Sequence, residues 1–323
     1  MSIQIKDFGK TTAGQPVKVG ILANDTIEVH ILSYGATIQQ LLVPDRKGNK
    51  VDVVLGYPTV QDYELKDGVL RCLVEDKAAF YKQDPTRVLA LFTASAAEGC
   101  GIDDDTYAAA MQAVGGIARL HAKVVREAVQ NILLSDAPEK IIPLVAGNAL
   151  GQYGITGTGQ GLEELRDVPC TMETRWWSFL RMCNAHYALV CERLGFSQRF
   201  ADVLAGLDRL AATTVLPQSV PELKRLLCRL PEFDYEAAVR TLMRTDVRWA
   251  GQLALYDALC FSGEPYRMRH LAVTAADLAA VGIMGQKATW VLSQLMEAVL
   301  KAPEVNTQPA LMALAQTLAA EYK

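Results

Sequence analysis

The chain has 323 residues, of which 50% are hydrophobic and 21% are charged, and its formal net charge at pH 7 is −4. This is the composition of an ordinary globular protein. The negative balance excludes bulk electrostatic attraction to nucleic acid, although a local basic patch remains compatible with it. No apolar run reaches the ~20 residues of a membrane span, and the N-terminus lacks the apolar core of a signal peptide. We therefore expect no membrane partner.

The seven cysteines are scattered singly and form no C-x-x-C pair. An odd number of isolated cysteines favours reduced, mostly packed thiols over a disulfide framework or a zinc site. The sequence therefore predicts a cytoplasmic protein. The seven are Cys72, Cys100, Cys170, Cys183, Cys191, Cys228 and Cys260.

The first 60 residues alternate apolar and polar side chains between short turns rich in Gly, Asn and Asp. This pattern predicts an antiparallel β-meander. The predicted strands are Pro16–Leu22, Thr26–Leu32, Ala36–Val43 and Val51–Tyr57. So small a meander buries little apolar surface and leaves two exposed edges. We therefore expect it to be mobile, to lean on the helical domain or to pair edge to edge with another copy.

Three segments of this region, FGKTTAGQPV, SYGATIQQLLVPDRKGNKVDVVLGY and VQDY, resemble the N-terminal strands of aldose 1-epimerases, the galactose mutarotases. The resemblance covers the first fifth of the chain and implies a fragment of a β-sandwich. The general base and acid of that family, a Glu and a His, lie further along its sequence, and nothing after Tyr63 continues the match. His30 is expected to be a half-buried strand residue. A carbohydrate isomerase, itself inactive, remains an alternative function.

From about Asp84 onward, apolar residues recur with helical spacing, and Ser, Thr, Asp, Gly and Pro mark the ends. We predict a mostly α fold, with a meander domain over residues 1–63 and an all-helical domain over 64–323. The predicted helices are Asp84–Gly99, Asp103–Leu120, Lys123–Ser135, Glu173–Leu194, Phe196–Thr213, Val220–Leu227, Tyr235–Arg244, Val247–Cys260, Ala275–Val281, Lys287–Lys301 and Pro309–Ala320.

Long segments of this second part resemble the neck, body and tail of bacterial CCA-adding enzymes, the class II tRNA nucleotidyltransferases, a family that includes poly(A) polymerases. They include ELKDGVLRCLVEDKAAFYKQDPTRVLALFTASAAEGCGID, REAVQNILLSDAPEKIIPLV, RLGFSQRFADVL and LAVTAADLAAVGIMGQKATWVLSQLMEAVLKAPEVNTQPALMALA. The resemblance covers four-fifths of the chain and implies tRNA 3′-end processing. The two resemblances abut at Asp62–Leu65, as in a fusion of two interrupted sequences, and a fusion without function is a further alternative.

The family carries catalysis on a head domain whose D-x-D carboxylates bind Mg²⁺ and whose G-S loop holds CTP or ATP. Neither motif is found in this chain, so we expect no catalytic residue, no metal ligand and no activity of the chain alone. The one Asp-x-Asp, Asp103 to Asp105, is expected to cap a helix. A separately encoded head domain would restore activity, so the enzymatic status stays open.

The base-reading E-D-x-x-R motif of the family aligns with Gln83, Asp84 and Arg87 of the segment QDPTR. In the family, the Asp accepts from the exocyclic amine of the base and the Arg donates to its ring. A spacing of three places both on one face of a first helical turn. Gln83 replaces the acidic residue and removes a charge. The alternative is that Asp84 caps a helix and Arg87 is solvated.

Contact with tRNA is expected to be weak and to involve basic side chains. Arg240, Arg244 and Arg248 would form one stripe if their helix were continuous. Lys287 follows the glycines of GIMGQK, where backbone N–H groups can approach a phosphate. The alternatives are a solvated face paired with Glu236 and Asp246, and a plain connector before the last helices.

Overall fold

The computed structural model describes residues 2–54, 56–64, 69–72 and 74–322. They belong to two compact units, Met1–Gly68 and Val69–Lys323. The first is built on an antiparallel sheet and the second is dominated by helices, which confirms the predicted mostly α fold with an N-terminal meander. The helix that spans the predicted junction after residue 63 belongs to the first unit.

Five strands form the sheet of the first unit, and each pairs antiparallel with the next along the chain. The first strand was not predicted, because only Ile3 and Ile5 mark its alternation and both are exposed. The last strand is shorter than predicted. The strands are β1 (Ser2–Lys10), β2 (Pro16–Ala23), β3 (Glu28–Leu32), β4 (Ile38–Pro44) and β5 (Lys50–Asp52).

A short helix, α1 (Val60–Glu64), covers one face of this sheet. Val60 is 1% exposed and packs with the buried side chains of Val17, Val19 and Leu32. A single helical turn therefore does part of what a second sheet does in a β-sandwich. His30 is a half-buried residue of β3, as predicted, and its Nε2 lies 2.9 Å from Oε1 of Glu28.

The second unit contains fourteen described α-helices and one pair of very short parallel strands, β6 (Val69–Leu70) and β7 (Gly101–Ile102). The prediction of an all-helical domain was wrong in this detail. The helices are α2 (Lys77–Gln83), α3 (Thr86–Ala97), α4 (Asp104–Ala113), α5 (Ala122–Leu133), α6 (Ile142–Ala146), α7 (Met172–Met182), α8 (Tyr187–Leu194), α9 (Gln198–Ala211), α10 (Val220–Arg229), α11 (Tyr235–Met243), α12 (Ala250–Ser262), α13 (Ala275–Ala280), α14 (Gly285–Lys301) and α15 (Gln308–Glu321).

Two predicted helices are interrupted. The one predicted over Glu173–Leu194 divides into α7 and α8 at Asn184, whose φ of 49° is left-handed and ends a helix. The one predicted over Asp103–Leu120 changes at Val114 to a 3₁₀ helix, Val114–Arg119, which contains two glycines.

The helical unit has two hydrophobic clusters. The larger joins α2 to α12 and includes Trp176, Phe179 and Tyr235 among its fully buried side chains. The smaller lies between residues 271 and 319 and packs α13, α14 and α15 together around Val291 and Leu295. Among the helices that the structure describes, none combines the length and the apolar content needed to cross a membrane.

All seven cysteines are free thiols. Burial raises the pKa of Cys183 and of Cys191 to about 11, so both stay protonated and act as small apolar side chains. Five of the seven are buried or half-buried and only Cys170 and Cys260 are exposed, which agrees with the prediction of mostly packed thiols.

Candidate nucleotide- and RNA-binding residues

Asp84 lies in the short connection between α2 and α3. Its Oδ1 accepts hydrogen bonds from the Thr86 hydroxyl at 2.6 Å and from the Thr86 amide at 3.0 Å. The hydroxyl first, and then the amide, lower the pKa of Asp84 below its ordinary value, since both donate to the ionised carboxylate. Asp84 therefore holds a full negative charge at neutral pH while it accepts hydrogen bonds from Thr86, the first residue of α3.

Arg87 lies in the first turn of α3, close to Asp84. Its Nε is 3.6 Å from Oδ2 of Asp84, and its Nη1 donates to the Phe80 carbonyl at 2.8 Å. The guanidinium also lies 4.0 Å from the centre of the Phe80 ring. Arg87 is therefore held by Phe80 as well as by Asp84, which differs from the simple solvated arginine of the alternative interpretation. Gln83 is exposed at the end of α2.

The structure thus brings Asp84 and Arg87 together, with an acceptor beside a donor. Cytosine and adenine each present an exocyclic amine next to a ring nitrogen. An ionised carboxylate can accept from the amine, and a guanidinium can donate to the ring nitrogen. Phe80, which orients Arg87, was not identified from the sequence. The sequence feature that could have identified it is the aromatic residue seven positions before the arginine in KAAFYKQDPTR.

The acidic run that starts at Asp103 marks the beginning of α4. Asp103 accepts from the amide of Thr106 at 3.4 Å, as expected for a cap. The described residues include no group of three or more His, Cys, Asp or Glu that could hold a metal ion. The donor set around Asp103 and Asp105 therefore does not fit a Mg²⁺ pair, and we derive no step through a metal.

The helix is not continuous across the three arginines, so the condition for a single stripe is not met. Helix α11 ends at Met243, Arg244 follows it, and Arg248 lies in the separate 3₁₀ turn Val247–Trp249. The helix ends because Thr245 and Asp246 begin a turn. The Asp246 carboxylate accepts a hydrogen bond from the Arg248 amide and so caps the 3₁₀ turn Val247–Trp249.

Each of these arginines has acidic neighbours in the structure. Arg240 pairs with Glu236 at 2.7 Å and Arg248 pairs with Asp246 at 2.7 Å, the two partners named in the alternative interpretation. Arg244 lies 3.3 Å from a carboxylate oxygen of Glu164 and 3.2 Å from one of Asp167. Contact of the three with RNA stays a prediction.

Lys287 lies in the first turn of α14 and is half-buried. Gly282 and Gly285, just before it, have φ angles of 81° and 62° and turn the chain from α13 into α14. Glycine is favoured in this left-handed conformation. These glycines therefore serve a connector, and contact of Lys287 with phosphate stays a prediction.

Comparison with models of protein families gives no match. Among curated proteins, the chain is similar to a probable aldose 1-epimerase of Arthroderma benhamiae, with 39% identity over 51 residues, 16% of this chain and 12% of that protein. It is also similar to the aldose 1-epimerase of Streptococcus thermophilus, with 32% identity over 72 residues, 22% of this chain and 20% of that protein. The match thus spans a fifth or less of either relative.

Among solved structures, the chain is similar to the CCA-adding enzyme of Bacillus stearothermophilus in complex with CTP, with a TM-score of 0.55 and 16% identity over 87% of this chain and 72% of that one. It is also similar to a CCA-adding enzyme in its apo form I, with a TM-score of 0.51 and 15% identity over 92% and 80% of the two chains. The fold is therefore like that of CCA-adding enzymes, and both resemblances inferred from the sequence are confirmed.

Proposed function

We propose that the helical unit is the tRNA-binding and base-selecting part of a nucleotidyltransferase of the CCA-adding type. The single observation that carries the proposal is the Asp84–Arg87 pair, 3.6 Å apart at the start of α3, where the resemblance places the base-reading motif. The likeness of the fold to a CCA-adding enzyme in complex with CTP supports it.

In this proposal, Asp84 and Arg87 read the amine and the ring nitrogen of CTP or ATP. Gln83 stands where the family has an acidic residue, so it supplies hydrogen bonds without a charge. The stacking of Arg87 on Phe80 fixes the plane of the guanidinium before a base arrives, which lowers the entropy lost on binding.

The tRNA contacts are proposed to include Arg240, Arg244, Arg248 and Lys287. Since the three arginines pair with acidic side chains, binding a phosphate requires each to exchange one partner for another. This exchange reduces the net gain, so binding is weak and depends strongly on salt.

We also propose that catalysis needs carboxylates from a separately encoded head domain, which would bring Mg²⁺ to the nucleotide. The chain alone then adds no nucleotide to a tRNA that lacks its 3′ end. The site of action is the cytoplasm, which also keeps the free thiols reduced.

For the sheet unit we propose self-association rather than sugar chemistry. Ile3 and Ile5 of the edge strand β1 are 68% and 69% exposed, and such an edge can pair with another copy. Sedimentation of the full chain against an Ile3→Lys, Ile5→Lys variant tests this, and equal molecular masses would contradict it.

The base-selecting role is tested by NMR of the full chain titrated with CTP and with UTP. CTP should shift the Arg87 side-chain Nε–H signal and UTP should shift it less, because UTP offers no exocyclic amine to Asp84. Asp84→Asn should abolish the preference. Lys82→Gln, an exposed change nearby on α2, should leave it intact. Equal shifts with both nucleotides would contradict the proposal.

A further inference from the structure

Three arginines at the ends of α9 and α10 share one open groove. Arg209 lies in the last turn of α9, and Arg225 and Arg229 lie four residues apart on α10, so they share one face of that helix. All three are exposed. A cavity of about 690 Å³ is lined by Arg209 and Arg229, and an adjoining one of about 320 Å³ is lined by Arg225 and the same Arg229.

These guanidinium groups differ from the arginines at and after the end of α11 in having no carboxylate partner. Within the described part of the chain, none of the three lies in an ion pair, whereas Arg240, Arg244 and Arg248 all do. A phosphate that approaches the groove therefore meets free donors, and no existing ion pair has to be broken.

The acidic side chains that line the groove are held by other groups. Asp208 accepts from the Trp177 indole at 2.8 Å, and Asp202 accepts from the Gln198 amide at 2.9 Å. Glu222 accepts from a backbone N–H just before α10 at 2.8 Å. Each carboxylate keeps its negative charge but is fixed in a contact of its own, and Asp208 also lies 3.9 Å from Nη1 of Arg181, so none of these described carboxylates pairs with the three guanidinium groups.

An aromatic surface lies beside the charges. Tyr187, which lines the larger cavity with Arg209 and Arg229, is stacked on His186 with ring centres 5.7 Å apart and planes at 5°. Sites for single-stranded nucleic acid combine a basic groove with aromatic rings on which bases stack. An acidic peptide would use the charges but gain no stacking from Tyr187, so the combination favours RNA.

We propose that this groove binds the sugar–phosphate backbone of RNA, with Arg209, Arg225 and Arg229 on successive phosphates and Tyr187 beneath a base. The inference rests on the proposed function of the helical unit in tRNA binding. It assigns tRNA contact to a surface that does not include Arg240, Arg244, Arg248 or Lys287. Since Arg forms bidentate hydrogen bonds to phosphate, loss of its planar donor group is the informative change.

The test uses the full chain and a fluorescent tRNA that lacks its 3′ end, with affinity measured by anisotropy over a series of salt concentrations. In Arg209→Gln, Arg225→Gln, Arg229→Gln the slope of log affinity against log salt should fall by about 3, one unit for each phosphate contact. Tyr187→Leu should weaken binding about tenfold and leave the slope unchanged, because stacking releases no counterions.

A matched control removes three positive charges elsewhere, in Lys123→Gln, Arg193→Gln, Lys301→Gln. All three of these side chains are exposed, and circular dichroism checks that each variant is folded. If the control lowers the slope as much as the groove variant does, bulk charge is responsible and the inference is wrong. If the unaltered chain binds tRNA and the groove variant matches it, the inference fails alone. If the unaltered chain binds no tRNA at low salt, the proposed tRNA binding fails with it.

Discussion

Asp84 combines a structural contact at the start of α3 with the role in base recognition that we propose for it. Its Oδ1 accepts hydrogen bonds from Thr86 in the first turn of α3, and its Oδ2 faces Arg87. The sequence alone left these two roles as alternatives, because an Asp before a Pro and a Thr fits a helix start as well as it fits a base-reading motif. The structure shows the contacts to Thr86 and to Arg87 together, so a structural role of Asp84 does not exclude the base recognition that we propose.

The hydrogen bonds from Thr86 to Asp84 make the stability of the protein depend on pH. Because the pKa of Asp84 is lower in the folded protein than in the unfolded chain, ionisation favours folding. This contribution is complete above the unfolded pKa of about 3.9 and disappears as the pH falls through the folded pKa. Thr86→Val removes the hydroxyl that contributes most, so the carboxyl should titrate at a higher pH than in the unaltered chain.

The measurement is the ¹³C chemical shift of the Asp84 carboxyl across pH 2 to 6. Thr86→Ser keeps the hydroxyl and should titrate as the unaltered chain does. An identical midpoint in Thr86→Val and the unaltered chain would show that the hydroxyl does not set the pKa.

Lys224 is a buried lysine whose charge is balanced by a single carboxylate. Its side chain is 2% exposed, and Nζ donates to Oε2 of Glu264 at 2.7 Å. A buried ammonium group is costly unless it is paired, and removing one partner is worse than removing both charges. Glu264 is 39% exposed, so water screens part of the interaction.

We expect Glu264→Ala to lower the free energy of unfolding by about 1–3 kcal/mol, because it leaves Lys224 without its counter-charge. Lys224→Met should change it by less than about 1 kcal/mol, since the methionine fills the space of the aliphatic stem. Urea unfolding measures both. A larger loss in Lys224→Met than in Glu264→Ala would show that the unpaired buried ammonium is not the main cost.

At the scale of elements, the sequence located most helices but not their interruptions. Apolar periodicity predicted the helices around α9, α10 and α11 within a few residues. It could not predict the left-handed Asn184, because the apolar period continues on both sides of it. It did place the end of α11 within one residue, at Arg244 against Met243, although the helical spacing of Arg240, Arg244 and Arg248 continues across the turn.

The end of α11 bears on the predicted phosphate contacts. If Arg240, Arg244 and Arg248 contact phosphates, replacing all three with Ala should reduce the salt slope of tRNA binding by about 3. If they remain paired with Glu236, Glu164 and Asp246, the slope should not change, because no counterions are released from RNA at those positions. Affinity measured by anisotropy at several salt concentrations distinguishes the two cases. An unchanged slope would assign these arginines to a solvated face.

At the scale of the whole molecule, the two resemblances could be predicted from the sequence because each rests on short segments with several motif residues at fixed spacing. The contacts that orient Arg87 and the groove arginines could not be predicted. Phe80 lies close enough to Arg87 to stack on it because the short connection of Asp84 and Pro85 brings the end of α2 to the start of α3. Likewise, the groove of Arg209 and Arg229 depends on how α9 and α10 pack, which the separate periodicities of the two helices do not specify.

The last prediction concerns the sheet unit, whose buried core is small. Only Val17, Val19, Leu32 and Val60 are buried hydrophobic side chains in the described part of this unit, and each contributes about 1.5–3 kcal/mol when removed from water. Ordering the backbone costs about 1–2 kcal/mol for every residue, so such a unit is marginally stable. The helical unit has two larger clusters of its own.

Deleting residues 1–68 should therefore leave the thermal midpoint of the helical unit within about 3 °C of its value in the full chain, the shift that ~1 kcal/mol produces at this size. Amide exchange in the full chain should be fast across Val17–Leu32 and slow in α5 and α7, because local stability follows the number of buried apolar neighbours. Differential scanning calorimetry and hydrogen exchange measure the two effects. Slow exchange across Val17–Leu32 in a monomer, together with a fall of more than about 10 °C on deletion, would show that the helical unit depends on the sheet for its stability.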